Sequence, residues 1–158
     1  MDQTTFTHLA ETYMDMVYRL ACHYLRSPQD ADDVTQEVFL RLLRTETAFD
    51  GEEHARHWLV RVTLNEAKRL CRSPWRQRTA PLEDFHGTAP LPGEEQRALF
   101  EAVMALPRKY RVPLYLYYFE GYGTEEIGAI LSRPPSTVQT QLARAREKLR
   151  QMWKEEEP

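Results

Sequence analysis

Cysteine, glycine, long apolar runs and net charge are all scarce in this chain. Its two cysteines, Cys22 and Cys71, each fall within a stretch of helical spacing. Two isolated cysteines build no disulfide framework, which points to a reducing compartment. With 6 glycines in 158 residues, the chain has no glycine-rich phosphate loop, and it has no G-x-S-x-G elbow. The longest apolar-aromatic run is Val112 to Phe119, and it contains Pro113. A bilayer needs roughly 20 apolar residues, so no direct membrane insertion is expected. The N-terminus lacks the basic-then-apolar pattern of a secretory signal. A soluble cytoplasmic protein is expected. His54 and His57 are spaced i, i+3, but no cysteine or carboxylate set completes a metal-ligand spacing. No catalytic residue, metal or cofactor is expected.

What is present is segregated charge. The net charge is only −3, whereas a protein that grips duplex DNA by itself is usually clearly basic. Residues 1–54 carry 4 basic and 11 acidic side chains, and residues 55–78 carry 7 basic and 1 acidic. Residues 79–131 have 4 basic and 8 acidic, and residues 132–158 have 6 basic and 4 acidic. The two basic blocks are candidate phosphate-facing surfaces, and the acidic blocks suggest a basic protein partner.

The periodicity is helical throughout, and the length suits one domain or two small ones. Phe6, Leu9, Ala10, Tyr13, Val17, Leu20, Ala21 and Tyr24 keep helical spacing over about Thr5 to Leu25. Ser27-Pro28 pairs a cap with a proline at the first helical position. The second helix runs from there to about Arg44, with Ala31, Val34, Val38 and Leu42 as its buried face. Phe49-Asp50-Gly51 marks a loop, and a third helix spans about His54 to Arg72. Residues 73–93 hold four prolines and two glycines without a period, which indicates a flexible linker. Helices at about Glu94–Ala105 and Arg108–Glu120 follow. The expected fold is all-α, two small helical domains joined by that linker.

The last two helices form a helix-turn-helix. Glu125 to Leu131 is one amphipathic unit. Ser132 to Pro135 breaks it, since proline lacks the N–H of the helix ladder, and Ser136 and Thr137 can cap the next helix. In that helix Val138, Leu142, Ala145 and Leu149 share one apolar face. Thr137, Gln141, Arg144 and Lys148 share a polar one. This is the layout of a helix that enters a DNA major groove.

Two further constellations stand out. Arg61, Asn65, Lys68 and Arg72 line one face of the third helix, with Arg56 and Arg69 nearby. Trp58, Leu59, Val62 and Leu70 supply much of its apolar side. A basic face carrying an asparagine suits phosphates plus an exposed base edge. Asp30, Asp32, Asp33, Gln36 and Glu37 form an acidic patch on the second helix. A helix dipole accounts for acids in the first turn, but Asp33 and Glu37 lie deeper. Trp58, Trp75 and the tyrosines can stack on unpaired bases. Aromatics at helical spacing are more often core, so Trp58 is assigned to the core. Phe49, in a loop, is the better stacking candidate.

These pieces, in this order, resemble bacterial sigma factors of the extracytoplasmic-function (ECF) group, members of the sigma-70 family. The stretch DADDVTQEVFLRLL (30–43) is similar to the family's core-polymerase-binding helix. ARHWLVRVTLNEAKRLCR (55–72) is similar to the helix that reads and opens the minus-10 element. LPRKYRVPLYLYYFEGYGTEEIGAIL (106–131) resembles the start of sigma region 4, and STVQTQLARAREKLR (136–150) its minus-35 recognition helix.

The resemblance implies a sigma region 2 helical bundle over 1–72, a linker over 73–93 and a region 4 helix-turn-helix over 94–158. It implies core polymerase contacts at Asp33, Gln36 and Glu37, flanked by Phe39 and Arg41. Phe49 and Asp50, in a loop reaching Glu53, would capture a flipped minus-10 base, and Arg61, Asn65, Lys68 and Arg69 would contact the opened strand. Ser136, Thr137, Thr140, Gln141, Arg144 and Lys148 would face the minus-35 duplex. Core RNA polymerase, promoter DNA and an anti-sigma factor are the implied partners.

The chain departs from the family pattern at Gln139 and Gln141, where basic residues are common. Its Arg133-Pro134-Pro135 turn stands where a glycine-containing turn is commoner, and should be stiffer. Two other readings are a helix-turn-helix regulator that binds duplex as a dimer, and an all-α adaptor with no DNA role. The first would need a receiver, a ligand pocket or a dimer helix, and none is visible.

Overall fold

The computed structural model describes residues 1–73 and 94–156. The linker assigned to 73–93, Trp75 included, therefore lies outside the described residues except for Ser73. Among the described residues there are seven helices and no strand. The chain divides into two compact units, Met1–Asp84 and Phe85–Pro158.

The first unit packs three helices, α1 (Gln3–Leu25), α2 (Pro28–Arg44) and α3 (Glu52–Cys71), each against the other two. Helix α1 starts two residues earlier than its apolar spacing suggests, because the Asp2 side chain caps it, accepting from the Thr5 N–H at 2.7 Å. It ends at Arg26, whose left-handed backbone lets its N–H reach the Cys22 carbonyl. Helix α2 begins as its sequence predicts. Ser27 accepts from the Asp30 N–H at 3.2 Å, and Pro28 occupies the first turn. Ala31, Val34, Val38 and Leu42 are all buried, joined by Thr35 and Phe39.

Helix α3 differs more from expectation. It begins at Glu52, after Gly51, whose carbonyl takes the Ala55 N–H at 3.1 Å. Its core stripe is Ala55, Leu59, Val60, Thr63, Leu64 and Ala67. Trp58, Val62 and Leu70 are only half-buried. Polar residues displace them from the core. Thr63 turns inward because its hydroxyl is satisfied by the Leu59 carbonyl at 2.6 Å.

The second unit holds α4 (Glu94–Ala105), α5 (Arg108–Tyr118), α6 (Thr124–Leu131) and α7 (Pro135–Glu156). Helix α5 carries Pro113 in its interior and yet continues. Residues 110–116 are all buried, and that packing outweighs one missing rung of the ladder. Arg111 is 2 % exposed. Its guanidinium donates to the Leu106 carbonyl at 2.8 Å, next to the C-terminus of α4, where helix carbonyls lack intrahelical donors.

The turn between α6 and α7 corrects one expectation. Pro135 does not break the chain before the last helix; it is that helix's first residue. A first-turn residue has no use for its N–H, so proline suits that position. The Pro134 carbonyl accepts from the Thr137 and Val138 N–H groups at 3.0 and 3.2 Å. Ser136 and Thr137 thus sit inside the first turn rather than capping it. The tight joint depends on Gly128, since a Cβ there would lie 2.6 Å from the Arg133 carbonyl oxygen.

Candidate nucleic-acid interface

In the first unit α2 and α3 present opposite charges. Asp33 and Gln36 are exposed on α2, and Glu37 is half-exposed. Phe39 is not part of that surface. It is 6 % exposed, so it supports the patch from the core side and offers no ring to a partner. Arg41 is exposed, but it is not simply a flanking cation. Its Nε donates to Glu37 Oε1 at 3.4 Å, and its Nη2 pairs with Glu66 Oε1 of α3.

Glu66 is the surprise of this unit. It is the one acid in the basic block 55–78, and it is 3 % exposed. Its second oxygen accepts from Arg69 Nη2 at 3.0 Å and Nε at 3.3 Å. A buried carboxylate held by two guanidiniums is affordable where a lone one is not. Arg69 itself is 72 % exposed along its side chain, and the bond to Glu66 holds its charge still more firmly. Arg61, Asn65, Lys68 and Arg72 are exposed, so α3 carries the basic face that its spacing predicts.

The loop before α3 is shaped by Gly51, at φ 154° and ψ −178°, a region that side chains avoid. Asp50 is fully outward, and its N–H donates to His54 Nδ1 at 3.0 Å. Phe49 is half-buried. It lies edge-on to His54 at 5.3 Å and to Trp58 at 5.7 Å. Phe49 and Trp58 therefore form a small aromatic step at the head of the basic face. Helix α1 braces this head. Tyr13 donates to Glu52 Oε2 at 2.6 Å, and His8 Nε2 meets Glu52 Oε1. The Tyr13 bond, with that of His8, keeps the Glu52 carboxyl below its usual range. Burial and the same bond push Tyr13 up to about 12. Among the described residues no group of three or more His, Cys, Asp or Glu could hold a metal ion.

In the second unit α7 buries Val138, Leu142 and Ala145 and leaves Leu149 half-buried. Ser136, Thr140, Arg144 and Lys148 are exposed, and Thr137 and Gln141 are half-exposed. With Lys109 and Tyr110 of α5, all but Lys148 line a cleft of about 290 Å³. Gln141 is partly committed within the fold, since its Oε1 accepts from Arg133 Nη1 at 2.9 Å. Tyr110 gathers the cations. The Arg144 guanidinium beside its hydroxyl lowers the phenol's pKa. The Lys109 and Lys148 ammonium groups lie 5.1 and 5.6 Å from its ring centroid. Sequence reasoning missed Glu66, Tyr110 and Arg133. Only Glu66 left a signal, as an acid among bases.

Each unit thus presents an exposed face that carries cations, and the first adds an exposed acidic face on α2. Residues 9–77 match the family model of sigma-70 region 2, and residues 96–149 match that of sigma-70 region 4. The chain is 30 % identical to the RNA polymerase sigma-H factor of Pseudomonas aeruginosa, over 92 % of this chain and 84 % of that one. It is 27 % identical to the ECF RNA polymerase sigma factor SigW of Bacillus subtilis, over 98 % of this chain and 91 % of that one. Among solved structures, the sigma factor RpoE of Bartonella quintana, in complex with the anti-sigma factor NepR, has the same fold. Its TM-score is 0.77 at 16 % identity, covering 95 % of this chain and 97 % of that one. The chain belongs to the ECF group of sigma-70-family RNA polymerase sigma factors, and its function is in transcription initiation.

Proposed function

We propose that residues 1–72 dock on core RNA polymerase and capture the minus-10 strand, and that residues 94–158 read the minus-35 duplex, with 73–93 as the linker. Asp33, Gln36 and Glu37 are the docking side chains, flanked by Arg41. Phe49 and Asp50 shape the loop that takes an unstacked base. Arg61, Asn65, Lys68 and Arg69 follow the strand beyond it, where exposed bases offer edges and faces that a duplex hides. Ser136, Thr137, Thr140, Gln141, Arg144 and Lys148 meet the major groove, where arginine and glutamine pair with purine edges.

The observation that carries this reading is the pairing of faces in the first unit. An exposed acidic patch on α2 lies beside an exposed basic face on α3. A module that bound only duplex DNA would gain nothing from the acids. The chain performs no bond chemistry of its own in this scheme. It holds polymerase at a sequence and stabilises the opened strand. It works in the cytoplasm, and an anti-sigma factor joins polymerase and promoter among its partners, as the Bartonella quintana complex suggests by likeness.

Promoter-specific run-off transcription with core polymerase tests the scheme. Core-dependent transcripts from a cognate promoter are the expected result. Tight sequence-specific duplex binding by the isolated chain, with no core-dependent transcript, would favour a stand-alone regulator.

A further inference from the structure

The strongest feature left unassigned is the buried carboxylate between the two faces of the first unit. Glu66 sits inward on α3, and its two oxygens serve two different arginines. One is Arg41 of α2, which also touches Glu37 in the docking patch. The other is Arg69, one turn beyond Asn65 on the strand-facing side. Arg69 gives Nε and Nη2 to the carboxylate. Both bonds converge on one oxygen, Oε2, which restrains that edge of the planar fork toward Glu66 and turns the remaining terminal nitrogen away from it. A free arginine would lose rotamer freedom on meeting a phosphate, whereas this one has given up part of it already.

We propose that Glu66 is a positioning residue for minus-10 strand capture. It aims Arg69 at one place on the strand, and through Arg41 it ties that aim to the docking edge of α2. The proposal rests on the reading of Arg69 as a strand contact. It adds that orientation, and not charge alone, makes the contact selective. Placing one phosphate correctly sets the register of the bases beside it.

The test uses the full chain bound to core polymerase and two fluorescent single strands, one carrying the minus-10 sequence and one scrambled, titrated over a range of salt. Arg69→Ala removes a cation. It should weaken both strands and lower the salt slope by about 0.7, the value for one phosphate on a single strand. Glu66→Gln keeps the volume and leaves Arg69 charged. It should preserve the salt slope but reduce the affinity ratio of minus-10 to scrambled strand severalfold. Arg69→Lys keeps the charge and lacks the fork, and lies at the surface where folding is safe. It should give the same signature as Glu66→Gln. A wild-type ratio in both Glu66→Gln and Arg69→Lys, with Arg69→Ala still weakened, would overturn the positioning role while leaving Arg69 as a contact. Wild-type affinity and slope in Arg69→Ala would overturn the contact, and the proposal with it.

Discussion

Gly128 lies in α6, three residues before its end, and faces the turn that sets α6 against α7. Replacing it with alanine places a Cβ 2.6 Å from the Arg133 carbonyl oxygen and 3.5 Å from the Pro135 nitrogen. The first contact must open by about 0.8 Å to reach an ordinary separation of 3.4 Å. The obstacle is backbone, so it cannot swing aside as a side-chain tip would. Moving it also strains the Arg133 N–H bond to the Gly128 carbonyl, now 2.8 Å, and shifts Pro134, whose carbonyl closes the first turn of α7. Overpacking costs about 1–3 kcal/mol, and an unyielding backbone obstacle at 2.6 Å puts this contact in the upper part of that range, about 2–3 kcal/mol. Alanine returns about 1 kcal/mol through helix propensity. The net expectation is a loss of about 1–2 kcal/mol, or about 5–15 °C in the melting of a unit this small. Thermal denaturation of the full chain by circular dichroism would measure it, and hydrogen exchange would place the loosening in α6 and α7. Ala129→Gly, at the exposed neighbouring position, calibrates the propensity term separately. A Gly128→Ala chain as stable as the parent would refute the steric argument.

Asp33→Ala with Glu37→Ala should weaken pull-down of core polymerase while the chain stays folded, because both are surface residues and the Glu37–Arg41 pair is a partly exposed one worth about 1 kcal/mol at most. Arg144→Ala should lower transcription about tenfold from promoters that depend on the minus-35 element, and much less from others, in run-off assays. Gly51→Ala meets no neighbour within 4 Å, so its cost comes from the φ of 154° alone, about 1–3 kcal/mol of strain; permanganate footprinting should show a weaker open bubble. Burial pushes the Cys22 thiol from 9.0 up to about 11. The folded chain therefore holds this proton after the unfolded chain has released it. Stability is full below about pH 9 and falls as pH rises toward about 11, by about 2 kcal/mol at pH 10.5. Urea melts at pH 8 and 10.5 would register this, with Cys22→Ala reducing the difference and leaving the part that Tyr13 and Tyr18, both raised to about 12, contribute in the same direction.

Features governed by near neighbours were readable from the sequence. The Ser27-Pro28 start of α2 is a local hydrogen bond plus a fixed φ, and it stands where the sequence places it. The apolar faces of α2 and α7 follow a 3.6-residue period, and Ala31, Val34, Val38, Val138, Leu142 and Ala145 are buried accordingly. The start of α7 was misread because a proline pair signals both a break and a beginning. Which meaning applies depends on where the neighbouring N–H groups find acceptors. In α3 the stripe of Trp58, Val62 and Leu70 gave way to Thr63 and Glu66, because a polar side chain can enter a core when its partners are there to meet it. Glu66 needs Arg41, 25 positions away, and Arg144 needs Tyr110, 34 positions away. No window on a single helix contains either pair.

The charge economy explains why such partners matter here. The net charge is −3, and salt-sensitive phosphate neutralisation supplies most sequence-independent affinity. With 21 Lys and Arg against 24 Asp and Glu the chain has no surplus of cations, and several of them are engaged internally. Arg41 and Arg69 hold Glu66, Arg133 holds Gln141, and Arg144 holds Tyr110. Each engagement spends some electrostatic reach and gains a fixed direction. A DNA-binding surface built this way is weak at long range and selective at contact. Such a surface suits a protein delivered to DNA by a large partner, since the partner supplies the residence time that the cations do not. On the proposed reading, the exposed acids of α2 provide the means of attachment to that partner. Acidic docking face, oriented cations and low net charge then form one physical arrangement, in which losing the docking face should cost DNA recognition even though no acid touches DNA.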